Sequence, residues 1–266
     1  MRVNLLGAWI DALNMDEVEE RLAGFIRTGD PHQVITLNPE MLYRAQQEPE
    51  LLNLINGASL VTADGTGIVW AARMAGKPVP ERVTGIDLML RMVARSAKEG
   101  WRIFLLGGAP GVAKEAARRL QQRYPQLIVA GTYHGYFQES GHTGLEEKLS
   151  LAPGAEFKED TQDNLCEAQL INIIRRARPH LFFAGLGAPK QEKFIARNLK
   201  LMQVPVAIGV GGSFDVIAGK VSRAPIWMQR LHIEWLGRLM REPWRWRRMM
   251  VLPRFAWRVM REVRKR

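Results

Sequence analysis

Residues 101–111 read Trp101-Arg102-Ile103-Phe104-Leu105-Leu106-Gly107-Gly108-Ala109-Pro110-Gly111, and residues 112–123 continue as Val-Ala-Lys-Glu-Ala-Ala-Arg-Arg-Leu-Gln-Gln-Arg. An apolar run that favours a strand stops at a glycine turn, and a helix-forming stretch begins. The unit recurs on both sides. Val34–Leu37 precedes Pro39 and a helix to about Gln47. Ser59–Thr62 precedes Gly65 and a helix to about Met74. Leu127–Ala130, Leu181–Ala184 and Val206–Val210 are further short apolar runs. Strands separated by helical stretches of about 10–15 residues predict an α/β fold, a mostly parallel sheet flanked by helices. Ligands of such sheets sit at the carboxyl ends of the strands.

The chain has 266 residues, of which 47% are hydrophobic and 24% charged, a composition that folds around a core. A lone cysteine, Cys166, excludes a disulfide scaffold and a cysteine zinc site. The five histidines have no metal-binding spacing, so no metal is expected. No GxSxG elbow is present, which argues against an α/β-hydrolase. No Asp-x-Asp is present either, and with it goes the metal-dependent route of many sugar-nucleotide enzymes. The apolar runs are too short to span a bilayer, and the N-terminus lacks a signal-peptide core, so the protein is read as intracellular.

Charge divides the chain. The formal net charge is +11. Residues 223–266 hold thirteen Lys/Arg against three Glu, and five of the eight Trp. Residues 1–222 are close to neutral, with 25 Lys/Arg against 24 Asp/Glu. The expected organisation is a catalytic body over 1–222, interrupted by a polar insertion over 139–166, and a basic, amphipathic appendage over 223–266. Pro243 and Pro253 are expected to cut that appendage into about three helical pieces. Basic charge interleaved with Trp, Met and Leu suits an anionic membrane surface.

The strand ends carry the polar groups. Thr36-Leu37-Asn38-Pro39 offers a hydroxyl and an amide, although Asn38 before Pro39 is also a good helix cap. Asp64 in Thr62-Ala63-Asp64-Gly65 stands where a general base belongs, and a cap is again the plain alternative. Gly107-Gly108 opens a turn whose N–H groups can face phosphates. Gly185-Leu186-Gly187-Ala188-Pro189-Lys190-Gln191-Glu192-Lys193 permits close backbone approach, with a solvated Lys/Glu/Lys face as its bland reading. Gly211-Gly212-Ser213-Phe214-Asp215 follows the last strand in the same way.

In order and wording these clusters, with Arg82-Val83-Thr84-Gly85, Gly135-Tyr136-Phe137, Arg223-Ala224-Pro225 and Glu234-Trp235-Leu236-Gly237-Arg238, make the sequence resemble the bacterial WecG/TagA/CpsF glycosyltransferases, glycosyltransferase family 26. The resemblance covers nearly the whole chain outside about 139–166. It implies an inverting enzyme without cofactor or metal. The enzyme would carry an N-acetylmannosamine-type sugar from a UDP-sugar donor to a lipid-diphosphate-linked N-acetylglucosamine. The setting is the inner face of the bacterial plasma membrane, in cell-wall or surface-polysaccharide synthesis such as the teichoic-acid linkage unit. It assigns catalysis to Asp64 as base, with Gln191 and Arg238. Thr36, Asn38 and Gln191 would line the sugar site, Tyr136 and Asp215 would lie near the nucleotide, and Arg238, Arg245 and Arg248 would reach the diphosphates, with Gly107, Gly108 and Gly187 as further substrate-binding residues. Asp64 is suited by chemistry, since a carboxylate is ionised at neutral pH, and arginines neutralise a departing diphosphate without a metal. The rival class, a nucleic-acid-binding protein, accounts for the basic tail but not for the strand-end clusters. A soluble sugar-nucleotide enzyme with a structural tail is a third reading. The donor sugar, the pathway and any homo-oligomer are left open by the sequence.

Overall fold

The structure, a computed structural model, describes residues 1–138, 165–225, 228, 246 and 250–264. Six strands, β3 (His32–Leu37), β4 (Leu60–Ala63), β5 (Arg102–Gly107), β6 (Ile128–Tyr133), β7 (Leu181–Gly185) and β8 (Val206–Gly209), form one parallel sheet in the order β4-β3-β8-β7-β5-β6. A hairpin of β1 (Arg2–Leu5) and β2 (Ala8–Asp11) lies against β4, where Asp11 Oδ2 accepts from the Val61 N–H at 2.9 Å. Sequence reading passed over this hairpin, neither of whose strands, Arg2-Val3-Asn4-Leu5 and Ala8-Trp9-Ile10-Asp11, is apolar throughout.

Alternation along each strand sends side chains to opposite faces. Ile103, Leu105, Leu181, Phe183, Val206 and Ile208 join one cluster. It is covered by α1 (Met15–Thr28), α5 (Gly85–Glu99) and α6 (Val112–Arg123). Phe104, Leu106, Phe182, Ala184 and Ala207 join another under α7 (Glu167–Ala177) and α8 (Lys190–Met202). Strands buried on both faces read as unbroken apolar runs, which is why Leu181-Phe182-Phe183-Ala184 shows no polar alternation.

At the β3–β4 side a third cluster joins Ile35 and Leu37 to α2 (Pro39–Ala45), α3 (Pro49–Gly57) and α4 (Thr66–Met74). The helix expected to run to Gln47 stops at Ala45 and restarts at Pro49. A proline suits a first helical turn but clashes in a helix interior. A short helix, α9 (Ser213–Ile217), follows β8. The last described helix, α10 (Val251–Val263), packs on α2 and α4 and places Phe255 and Val259 in this third cluster. Pro253 falls in its first turn, just after a turn at Met250, so a helical piece begins there as expected, while Pro243 lies outside the described residues. The first N–H groups of a helix have no partner within it, so a proline there removes no helical bond.

Gln138 and Cys166 form an isolated bridge: the Gln138 N–H donates to Leu165 O at 3.0 Å and the Glu167 N–H to Gln138 O at 2.9 Å. The two ends of the expected insertion therefore meet. Its interior, and Arg238, Arg245 and Arg248, lie outside the described residues.

Phe255 is 2% exposed and is supplied to the core by the final helix alone. Phe255→Ala is expected to lower the unfolding free energy by about 3–5 kcal/mol, the usual cost of emptying a buried aromatic site. Urea unfolding measures it, and a loss below about 1 kcal/mol would contradict the packing of α10 on α2 and α4.

Candidate active site

The carboxyl ends of β4, β3, β8 and β7 open into a cleft of about 620 Å³. The β3 end contributes Thr36 and Asn38, and the β4 end contributes Asp64 and Gly65. The loop after β7 contributes Gly187, Ala188 and Pro189, α8 contributes Gln191, and the segment after β8 contributes Val210 to Ser213. Leu252, Phe255 and Ala256 of α10 form an apolar wall, joined by Met41 and Trp70. Polar groups gathered at strand ends beside an apolar wall describe a ligand site on a parallel sheet.

Asp64 is held through its backbone and its side chain. Its N–H donates to Leu37 O at 2.8 Å, which extends the β3–β4 pairing by one residue. Its Oδ2 accepts from the Gly85 N–H at 3.2 Å. The segment before α5 runs along the end of β4, with the Val83 N–H on Ala63 O at 3.0 Å and the Thr62 hydroxyl on Val83 O at 3.2 Å. Thr84 caps α5, so the amino end of a fifteen-residue helix meets the floor of the cleft beside Asp64. Such an end favours negative charge.

Asn38 has both of its expected roles. Its side chain accepts from the Met41 N–H at 2.8 Å as the cap of α2, and the residue still lines the cleft. The Thr36 hydroxyl donates to Gly209 O at 3.2 Å, tying β3 to the end of β8.

Gln191 is almost entirely buried, and its amide is fixed at both ends. The Gly211 N–H donates to Gln191 Oε1 at 3.0 Å, and Gln191 Nε2 donates to Glu192 Oε1 at 2.8 Å. A backbone N–H only donates, so the amide oxygen must face Gly211. The second amide hydrogen remains as what Gln191 can offer to a ligand. Glu192 is wholly buried, so the Lys-Gln-Glu-Lys run is no solvated face. Its Oε2 has no hydrogen-bond partner among the described residues. Burial pushes its carboxyl up to about 7, and the hydrogen bond from Gln191 only partly offsets the effect.

Thr36, Asn38, Asp64, Gly187 and Gln191 thus converge, whereas Gly107, Gly108, Tyr136 and Asp215 stand away from the wall of this cleft. Gly107 (φ +142°) and Gly108 lie at the next crevice, between β5 and β7, whose connections leave toward opposite sides of the sheet. A side chain on Gly107 would meet the Gly185 backbone at 2.5 Å, so only glycine lets the two strand ends approach there. The Gly108 N–H donates to Gly185 O at 3.2 Å and the Gly135 N–H to Gly108 O at 2.8 Å. Tyr136 follows, 64% exposed, and Asp215 lies in α9. The cleft also holds Arg44 and Arg82, which sequence reading did not assign. Arg44 is bound to Glu48 at 2.6 Å. The signal for Arg82 was present in Arg82-Val83-Thr84-Gly85, but nothing local says that this stretch runs beside β4. Among the described residues no three His, Cys, Asp or Glu gather to hold a metal ion.

A parallel sheet with a polar cleft at its strand ends is common to many classes of enzyme, and sequence similarity says which family this one joins. Residues 3–266 match the glycosyl transferase WecG/TagA/CpsF family, and the chain belongs to it. It is 31% identical over 257 residues to an N-acetylglucosaminyldiphosphoundecaprenol N-acetyl-beta-D-mannosaminyltransferase of Bacillus subtilis (strain 168), covering 97% of this chain and 87% of that one. The Staphylococcus aureus (strain MW2) protein of the same name is 31% identical over 266 residues, covering 99% and 94%. The protein is therefore a glycosyltransferase.

Glu192 gives this site a pH signature. Its folded value of about 7 exceeds the ordinary 4.5, so below 4.5 it is neutral in both states and costs nothing. As pH rises toward 7 the unfolded chain ionises first, and stability is lost. The loss amounts to about 3 kcal/mol above pH 8. Glu192→Gln removes this dependence. Denaturant melts at pH 5 and pH 8 are expected to show the variant gaining on the parent by about that amount between the two. An unchanged difference would mean that Glu192 is not buried as described.

Proposed function

We propose that the protein transfers N-acetylmannosamine, or a closely related sugar, from a UDP-sugar to N-acetylglucosamine-diphospho-undecaprenol. The relatives' names supply the donor sugar and the acceptor. The observation that carries the reading is Asp64 on the wall of a cleft that also presents Thr36, Asn38, Gln191 and Arg82.

In the step proposed, the Asp64 carboxylate takes the proton of the acceptor hydroxyl as its oxygen attacks C1 of the donor sugar. The new O–C1 bond forms while the C1–oxygen bond to UDP breaks, and the electron pair leaves on the diphosphate. Attack opposite an α-linked leaving group gives a β-linked product, in keeping with the configuration in the relatives' names. Arg82, on the cleft wall, is proposed to meet diphosphate charge from the body. Arg238, Arg245 and Arg248 are proposed to add to it from the appendage. The β5–β7 crevice with Gly107 and Gly108, and Tyr136 and Asp215 near it, is proposed to take the nucleotide end of the donor.

A membrane-facing role for the appendage fits α10. Its buried stripe, Phe255 and Val259, faces the body. Its exposed face sets Trp257 and Met260 beside Arg254, Arg258 and Arg261. Apolar side chains at headgroup depth flanked by arginines suit an anionic leaflet, each cation adding about 1 kcal/mol. Among the described residues no helix is long and apolar enough to cross a membrane. Family membership gives the nucleic-acid reading no support.

Asp64→Asn keeps the shape of the side chain and removes its basicity. Turnover of a UDP-N-acetylmannosamine donor with a short-chain lipid-diphosphate acceptor is expected to fall roughly 10²–10⁴-fold, with UDP affinity little changed. Near-normal product by mass spectrometry would reduce Asp64 to a structural group. For the membrane surface, the pair Trp257→Ser and Met260→Ser is expected to weaken pelleting with anionic vesicles severalfold while soluble-acceptor turnover stays within about twofold. Undiminished pelleting would rule out this face of α10 as the contact.

A further inference from the structure

Arg223, the first residue of the appendage, lies outside the wall of the cleft yet is connected to it by hydrogen bonds. Its guanidinium grips Asp87 with both ends, Nη1 to Oδ1 at 2.7 Å and Nη2 to Oδ2 at 2.9 Å, across 136 residues of chain. Asp87 stands in the first turn of α5. The Thr84 hydroxyl donates to Asp87 Oδ2 at 2.7 Å and accepts from the Asp87 N–H at 3.2 Å. One residue on, the Gly85 N–H donates to Asp64 Oδ2 at 3.2 Å. The series runs without a gap from the root of the appendage, through the amino end of α5, to the proposed base.

We infer that Arg223 is a positioning residue for the reaction. By clamping Asp87, which is bonded in turn to Thr84, it holds the amino end of α5 where the Gly85 N–H orients the Asp64 carboxylate. This rests on Asp64 being the base. Two parallel bonds from one guanidinium fix distance and orientation together, which one point charge does not. The contact is sheltered, with the side chains 24% and 34% exposed, and the adjoining Ala224 is buried, so the root of the appendage is seated rather than tethered. Burial alone would raise the Asp87 carboxyl. The hydrogen bonds from Arg223 and Thr84, with the charges of Arg223 and Arg82, overcome it and hold the group below its ordinary value. A carboxylate kept ionised beside the cleft keeps the clamp closed across the neutral range. Seating of the appendage and readiness of the base become one event.

The experiment is a double-mutant cycle in the full-length protein, using UDP-N-acetylmannosamine and a short-chain lipid-diphosphate N-acetylglucosamine acceptor. Arg223→Gln is expected to lower kcat about tenfold, with UDP affinity by calorimetry within about twofold. Arg223→Lys, which keeps the charge and loses the fork, should fall between Gln and parent. Asp87→Asn should match Arg223→Gln. In the Asp64→Asn background the same Arg223→Gln change should cost no further turnover, because the group it positions is already disabled. Equal losses in both backgrounds would overturn the inference, since Arg223 would then act elsewhere. So would unchanged kcat in Arg223→Gln, or a loss that follows unfolding in thermal melts of both Arg223 variants. If Asp64→Asn alone keeps near-parent turnover, the base assignment fails first, and that result is distinct from additivity.

Discussion

The pairing of β3 between β4 and β8 sets the position of the polar groups along one wall of the cleft. Thr36 lies opposite Thr62, Leu37 opposite Ala63, and Val34 opposite Ile208. A slip of one residue would turn Thr36 toward the third cluster and carry Ile35 and Leu37 out of it. That exchange is disfavoured, because Ile35 and Leu37 would leave the cluster packed around them and an apolar side chain would take the place of Thr36 at the cleft. Fully burying either side chain is worth about 1.5–3 kcal/mol, while the Thr36 hydrogen bond to Gly209 nets about 1 kcal/mol. Apolar packing therefore decides the register, and the polar cleft follows from it.

The second constraint is carried by a group that stabilises nothing. Glu192 lies under the cleft floor with one oxygen unpartnered among the described residues, and near neutral pH it weakens the fold. Glutamine or leucine would relieve the charge cost. Glu192 Oε1 nevertheless accepts from Gln191 Nε2, and so supplies the acceptor that the nitrogen end of that amide needs in the core. With the Gly211 N–H closing the other side, the amide has one orientation. A side chain fixed in this way meets a ligand without first paying to be ordered.

What was legible in the sequence follows from what is local. Thr36-Leu37-Asn38-Pro39 and Asp64-Gly65 stand at strand ends, and parallel topology gathers strand ends at one edge, so their convergence could be read from spacing. The tail's asymmetry was a matter of composition. The contacts that sequence reading missed join distant segments. Arg223 and Asp87 are separated by 136 residues, and Asp87 reads as an ordinary acidic residue in a first helical turn. Glu192 sits between two lysines, and only the fold shows that its position faces the strands rather than water. The roles of Arg238, Arg245 and Arg248 came from resemblance, and they keep that footing.

Among the described residues, the root of the appendage and its last described helix are both attached to the body, and the two attachments do different work. Its root is polar, the Arg223–Asp87 pair at the amino end of α5. Its last helix is apolar, Phe255 and Val259 between α2 and α4. The cleft is touched by both attachments: Gly85 of the α5 end and Leu252, Phe255 and Ala256 of α10 are all on its wall. An apolar wall excludes water from the strand-end groups and strengthens every charge interaction made there. If α10 also rests its exposed face on a bilayer, the force that holds the protein at the surface acts on the helix that walls the site. Membrane contact and closure of the cleft then share one element. An acceptor held at the headgroups would reach a site assembled by the same contact that brought it near.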